Sequence, residues 1–203
     1  MKTLTMWQME LIPWYVLAAY WAITWLRVKR TKAREKSWDR MVTVAVVLVA
    51  YNLLFAPWMR IGVLRLRFLP DEPWIGWAGI ALTWIGVALA VWARYCIGVY
   101  WSAVVMLKEG HRLIRSGPYA YVRHPIYTGM LLGVVGAALV AGEWRGILAV
   151  VLLFGAHSRK ALREERLLAT EFGEEYASYR RATGFLFPRL RPSIGMDTHS
   201  GRS

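Results

Sequence analysis

Five apolar runs constrain this chain more than any other feature, at about 7–26, 41–59, 74–93, 126–141 and 146–160. A helix crosses a bilayer's hydrocarbon with about 20 apolar residues and tolerates about 17. The first and third runs meet that length. The fourth and fifth are shorter and rich in small residues, among them Gly129, Gly133, Gly136, Ala137 and Ala138, which let membrane helices approach closely. Gly142-Glu143-Trp144-Arg145 between them reads as a tight turn, so these runs form a helical hairpin. Lipid offers no partner to a free backbone N–H or C=O, so all five runs are expected to be helical. The expected fold class is all-α: a polytopic integral membrane protein with about five transmembrane helices. The expected organisation is N-terminal membrane helices over 1–97, a functional core over 98–190 and a disordered tail over 191–203.

Composition supports a membrane setting. Apolar residues make up 57% of the chain and 12 residues are Trp, more than a soluble domain of this size readily hides. Trp7, Trp25, Trp58, Trp74, Trp92 and Trp144 mark run ends, as an aromatic belt at headgroup level requires. The net charge of +13 raises nucleic acid as a partner. The Lys and Arg sit between apolar runs, however, so membrane topology accounts for them and no nucleic-acid partner is expected. Arg27, Lys29, Arg30, Lys32, Arg34, Lys36 and Arg40 follow run one, and Arg94, Lys108, Arg112, Arg115 and Arg123 follow run three. Fewer cations follow runs two and four. The positive-inside rule then places 27–40, 94–125 and the C-terminal tail in the cytoplasm and the N-terminus outside. The lone Cys96 excludes an intramolecular disulfide framework and a cysteine-cluster metal site, and no metal is expected. Glu10 and Pro13 interrupt the first run and no small-residue cleavage site follows, so no cleaved signal peptide is expected.

Two polar clusters then stand at the ends of adjacent apolar runs, both on the expected cytoplasmic side. The first is Gly117-Pro118-Tyr119-Ala120-Tyr121-Val122-Arg123-His124-Pro125-Ile126-Tyr127-Thr128-Gly129. Pro118 and Pro125 stiffen this turn, and Pro125 suits the first position of a helix. His124 is thereby held at a helix N-terminus, an end that attracts anions. Arg123 adds a planar donor for a carboxylate or phosphate. Taken alone, the turn reads equally as an interfacial anchor, because Tyr, Arg and His all sit comfortably among headgroups. The second cluster extends run five through His157-Ser158-Arg159-Lys160-Ala161-Leu162-Arg163-Glu164-Glu165. Helical spacing puts His157, Lys160, Glu164 and Leu168 on one face. A solvated helix with pairs such as Lys160–Glu164, worth about 0.3–0.5 kcal/mol each, accounts for that pattern alone. Its place beyond a hairpin whose other end carries His124 favours a site. Further on, Gly173 is expected to break the helix, and Phe185 and Phe187 to tuck the following segment against the bilayer or over a pocket.

The order Gly-Pro-Tyr-x-Tyr-Val-Arg-His-Pro-x-Tyr-x-Gly, hairpin, Glu-Glu, Phe-Gly-x-x-Tyr-x-x-Tyr and Phe-Pro resembles the isoprenylcysteine carboxyl methyltransferase family over about 98–190. Trp101-Ser102 and Gly110-His111-x-Leu113 are similar to its prokaryotic members. Phospholipid N-methyltransferases share the Arg-His-Pro-x-Tyr-x-Gly and Glu-Glu parts, and some sterol reductases share only the first. The resemblance implies a membrane methyltransferase that binds S-adenosyl-L-methionine (SAM) on the cytoplasmic face of a prokaryotic plasma membrane. It implies a lipid or prenylated acceptor entering from the bilayer. By position it implies that Tyr121, His124, Pro125, Tyr127, Gly129 and Glu165 line the cofactor site, while Lys160, Arg163 and Glu164 face the reacting groups. Lys160 stands where the family pattern has Arg. It is a point charge rather than a fork, and Arg159 or Arg163 can supply the fork instead. A carboxylate acceptor is already a nucleophile and needs alignment and dryness; an amine acceptor needs Glu164 as a base. Three other readings stand beside carboxyl methylation: phospholipid N-methylation, a nicotinamide-dependent reductase, and a non-catalytic membrane protein.

Overall fold

The structure, a computed structural model, describes residues 5–25, 37–98 and 113–189. Trp101-Ser102, Gly110-His111 and the tail 191–203 lie outside the described residues. Among the described residues the regular elements are helical: α1 Met6–Trp25, α2 Ser37–Phe55, α3 Pro73–Ile97, α4 Pro125–Ala141 and α5 Trp144–Ala182, with short 3-10 turns at Pro57–Met59, Gly62–Arg65 and Gly117–Ala120. Two isolated bridges, Arg67 with Glu143 and Val122 with Gly184, are the strand-like pairings there.

The five expected helices are present, with shifts at their ends that local chemistry explains. The second run was expected over 41–59, yet α2 starts at Ser37 and stops at Phe55. Pro57 lacks the N–H that another turn would need, and Ala56 before it is extended (φ −88°, ψ 122°), as the residue before a proline prefers. The fifth run was expected over 146–160, but α5 continues to Ala182 because an amphipathic stretch carries on from the apolar one. Gly173, expected as a breaker, kinks α5 with φ 50° and ψ −122°. By length and composition two helices are apolar enough to cross a membrane, Trp38–Phe55 and Pro73–Ile97. α4 is a shorter apolar helix of 17 residues, and α1 has the length but carries Gln8, Glu10 and Pro13.

Gly129 and Gly136 of α4 face α3, and Gly133 faces Trp14 of α1. A Cβ added at Gly79 would lie 2.6 Å from the Gly136 carbonyl oxygen, and one at Gly129 would lie 2.5 Å from that of Gly86. Only glycine permits backbones this close. α4 and α5 meet through Gly146, where an added Cβ would lie 2.9 Å from Ala138 Cβ.

Buried polar groups tie the two ends and the middle of the bundle. At one end Arg145 donates to the Leu53 and Leu54 carbonyls, both at 2.8 Å, and to Glu143 at 2.5 Å, while Arg60 reaches Glu143 at 2.6 Å. Arg145 thus satisfies carbonyls at the C-terminal end of α2 that the helix leaves without partners. At the other end Arg94 donates to the Thr24 carbonyl at 3.1 Å and the Gly98 carbonyl at 2.7 Å. In the middle, fully buried Glu10 accepts from Thr83 Oγ1 at 2.8 Å and Trp14 Nε1 at 3.1 Å. Buried carboxyls are costly unless they find such partners. Asn52, the polar residue that stands out in the second run, donates to Leu48 in its own helix.

Candidate functional site

At the Arg94 end, the turn before α4 meets the extension of α5. Pro125 opens α4, so His124 becomes the N-cap residue; its side chain makes no cap hydrogen bond and both ring nitrogens face α5. Consecutive helix residues point about 100° apart, so the Glu164 and Glu165 carboxylates diverge and the imidazole fits between them. His124 Nδ1 lies 3.6 Å from Glu164 Oε2, and Nε2 lies 3.3 Å from Glu165 Oε1. An acidic oxygen facing each nitrogen favours the imidazolium, in which both nitrogens donate.

The electrostatics follow. Burial is the largest influence on His124 and acts to lower its pKa, but the hydrogen bonds to Glu164 and Glu165 and their charges outweigh it, so the ring titrates above the ordinary histidine value. Burial pushes Glu164 up, yet the hydrogen bond to His124, the charges of Lys160 and His124 and the Tyr127 hydroxyl hold it below the usual carboxylate value. Glu165 is likewise pushed up by burial and held low by its bonds to His124 and Arg123.

Tyr127 stands one turn after His124 on the same face. Its hydroxyl donates to Glu164 Oε1 at 2.6 Å. Its ring stacks on His124 (5.7 Å, 14°) and on buried His157 (5.1 Å, 10°). The Lys160 ammonium lies 5.4 Å from the centre of the Tyr127 ring and 4.0 Å from Glu164 Oε1. The site thus alternates charges around an aromatic stack.

The segment after α5 closes the far side. Arg123 N–H donates to the Gly184 carbonyl at 2.9 Å, Gly184 N–H to the Tyr121 carbonyl at 3.0 Å, and His124 N–H to the Phe185 carbonyl at 3.3 Å. Thr128 Oγ1 donates to the Leu186 carbonyl at 2.6 Å. Phe185 packs edge-on against His124 at 5.3 Å, whereas Phe187 is exposed. Arg123 Nε donates to Glu165 at 2.6 Å, and a terminal nitrogen donates to the Arg180 and Thr183 carbonyls. The guanidinium that the sequence suggested for a ligand anion therefore holds α5 and the returning segment to the turn.

The structure brings His124, Tyr127, Lys160, Glu164 and Glu165 into one cluster. Pro125 is buried beneath it. Tyr121 is 67% exposed beside it. Gly129 lies in the α3–α4 seam, and Arg163 donates to Asp39 in the first turn of α2 at 2.6 Å, with Arg159 on the same carboxylate at 3.1 Å. Sequence reasoning missed Asp39, whose only signal is an acid in a basic stretch. It placed His157 on the right face without giving it a task. No group of His, Cys, Asp and Glu among the described residues could hold a metal ion.

A family model described as Phospholipid methyltransferase matches residues 74–175, half of the chain. The cobalt-zinc-cadmium resistance protein CzcN of Cupriavidus metallidurans is 33% identical over 129 residues, covering 63% of this chain and 57% of that protein. A protein-S-isoprenylcysteine O-methyltransferase of Schizosaccharomyces pombe is 30% identical over 101 residues, 42% of this chain and 43% of the relative. A steroid 5-alpha-reductase of Solanum lycopersicum is 25% identical over 168 residues, 79% of this chain and 61% of that protein. The chain spans about half the length of the curated relatives it matches.

Proposed function

The chain belongs to the phospholipid methyltransferase family, and from that premise we propose that it is an integral membrane, SAM-dependent methyltransferase that esterifies the carboxylate of an isoprenylcysteine-like, lipid-linked acceptor. The observation that carries this reading is the buried cluster in which Glu164 and Glu165 flank His124 while Lys160 and Tyr127 converge on Glu164. Relatives named protein-S-isoprenylcysteine O-methyltransferase support the acceptor class. The proposed setting is a prokaryotic plasma membrane, with five spanning helices, the N-terminus outside and this cluster at the cytoplasmic face.

The residues present fit the cofactor. SAM carries a sulfonium and an ammonium; the site offers the Glu164 and Glu165 carboxylates for these cations, with an exposed ring at Tyr121 beside them. When bound, the cofactor would supply a sulfonium methyl for transfer to an acceptor carboxylate oxygen, with a neutral thioether as the leaving group. Glu164 and Glu165 hold positive charge in place, and His124 fixes both carboxylates. Lys160 holds the anionic head in line. Phe185 keeps water from the His124 ring. No base is required, so catalysis rests on alignment and dryness.

A second reading has specific support: the matching family is described by phospholipid methylation, and an amine acceptor would make Glu164 the base. Two experiments on the purified full chain in lipid nanodiscs decide. Calorimetric titration with SAM and with NADPH is expected to show binding of SAM only; binding of NADPH alone would replace the proposal with a reductase. Methylation of N-acetyl-S-farnesylcysteine is then compared with methylation of phosphatidylethanolamine. Methylation of the amine lipid alone would defeat the carboxyl reading.

A further inference from the structure

His157 is the polar group of the aromatic stack that the proposed chemistry leaves unused. It is 5% exposed, lies flat on Tyr127, and its Nε2 is buried with no hydrogen-bond partner among the described residues. Native proteins rarely leave a buried ring nitrogen without a partner, and where they do a ligand or water is the usual explanation. Its place on α5 says which ligand. His157, Lys160 and Glu164 form one row at spacings of three and four. Along that row His157 stands about 10 Å from Glu164 toward the apolar half of the helix. A water-soluble cofactor approaches from the Glu164–Glu165 end, and a lipid-linked acceptor from the apolar end, where His157 is the first polar group of the row that it meets.

We propose that His157 is a specificity-determining residue whose Nε2–H donates to the carboxylate of the lipid-linked acceptor beside Lys160. The inference rests on the methyltransferase reading above. A neutral N–H and an ammonium one helical turn apart present two donors to one anionic head, and they meet an ammonium head with no acceptor. That pair selects carboxylates over amines inside the site, beside the aromatic stack.

The test uses the full chain in nanodiscs with N-acetyl-S-farnesylcysteine as the acceptor probe. His157→Phe keeps a ring to stack on Tyr127 and removes the nitrogen. The expected result is an acceptor KM raised about tenfold, as for one lost hydrogen bond, with SAM affinity unchanged. His157→Gln keeps a neutral donor at similar reach and is expected to recover most of that loss; it carries the test by itself if the Phe variant does not fold, a tenfold higher KM then counting against the hydrogen bond. An unchanged KM in His157→Phe would reduce His157 to packing and overturn the inference. So would a fall in SAM affinity with KM unchanged, which would move His157 to the cofactor side. Failure of the wild-type chain to bind SAM is a separate result: it sinks the methyltransferase reading itself, before any variant is compared.

Discussion

His124 and Lys160 are the residues on which the site's charge pattern turns. The His124 pKa is raised in the folded chain, so its stabilising contribution is fully present below the ordinary histidine value of about 6.5 and is lost as pH rises through the higher folded value. Glu164 and Glu165 are held low, so their contribution is present above the ordinary carboxylate range and is lost as pH falls through their depressed values. Arg123, Lys160 and Tyr127 face them. Thermal melts from pH 5 to 9 should therefore show stability falling on the alkaline side, a fall that His124→Gln removes. A wild-type curve with no alkaline loss would contradict the imidazolium between the two carboxylates. Lys160 stands over the Tyr127 ring and near Glu164, the only cation in the row with His157. Loss of a charge-assisted bond costs about 1.5–3 kcal/mol, so Lys160→Met should lower kcat/KM for a carboxylate acceptor roughly 10- to 100-fold while SAM still binds. Lys160→Arg should retain activity.

At the scale of elements, backbone proximity and a long-range cap hold the site's platform. Gly129 meets Gly86 at a distance that leaves no room for a Cβ. Gly129→Ala should therefore cost about 1–3 kcal/mol, as overpacking does, and misplace His124 five residues earlier. Gly155 in α5 has nothing within 4 Å of an added Cβ, so Gly155→Ala should be neutral or up to about 1 kcal/mol stabilising through helix propensity. Melting temperatures of the two variants, measured in the same nanodisc, check both; equal melting temperatures would argue against the α3–α4 seam. Arg145→Ala removes the donor to Leu53 and Leu54 and one of two cations on Glu143. About 3 kcal/mol of destabilisation is expected, read in the same melts. Apolar run length was enough to find these five helices, and Pro125 and Gly173 marked where α4 begins and where α5 bends, whereas the end of α2 before Pro57 was not read from the sequence. The direction of the α4 glycines was not legible, because a stripe of small residues says that some helix approaches without saying which.

The whole molecule has two chemically different ends. One carries the His124–Glu164–Glu165 cluster with Arg94 and Asp39; the other carries the Glu143–Arg145–Arg60 network. Pro70 and Arg115 are exposed on opposite ends. With Cys96 replaced by Ser, cysteines introduced at 70 and 115 should be labelled by an impermeant thiol reagent in intact cells at 70 only. Labelling at 115 only would invert the proposed orientation and move the cluster to the outer face. The acceptor class has a whole-enzyme signature too. A carboxylate is ionised across pH 6–9, so the rate of the chemical step should be nearly flat there once the loss of stability at high pH is allowed for, whereas an amine acceptor should give a rate that climbs with pH.

The sequence by itself determined that the chain is helical and apolar in five places, because a long apolar run taken out of water must pair its backbone groups within the segment. It also singled out His124, Tyr127, Lys160, Glu164 and Glu165, because the proline-framed turn and the Glu-Glu pair are local in sequence. Only the tertiary structure decided what these residues touch. That one imidazole lies between both carboxylates, that Arg123 binds protein carbonyls instead of a ligand anion, and that Asp39 takes up Arg159 and Arg163 all depend on contacts spanning 40 (Glu164 minus His124) to 124 residues. The same holds for Glu10, read in the sequence as an interruption of the first run and in the fold as a buried partner of Thr83, 73 residues away. Local patterns record which groups a segment carries. Which group satisfies a buried charge is set by whichever neighbour the packing of apolar and glycine faces brings within reach, and that choice exists only in three dimensions.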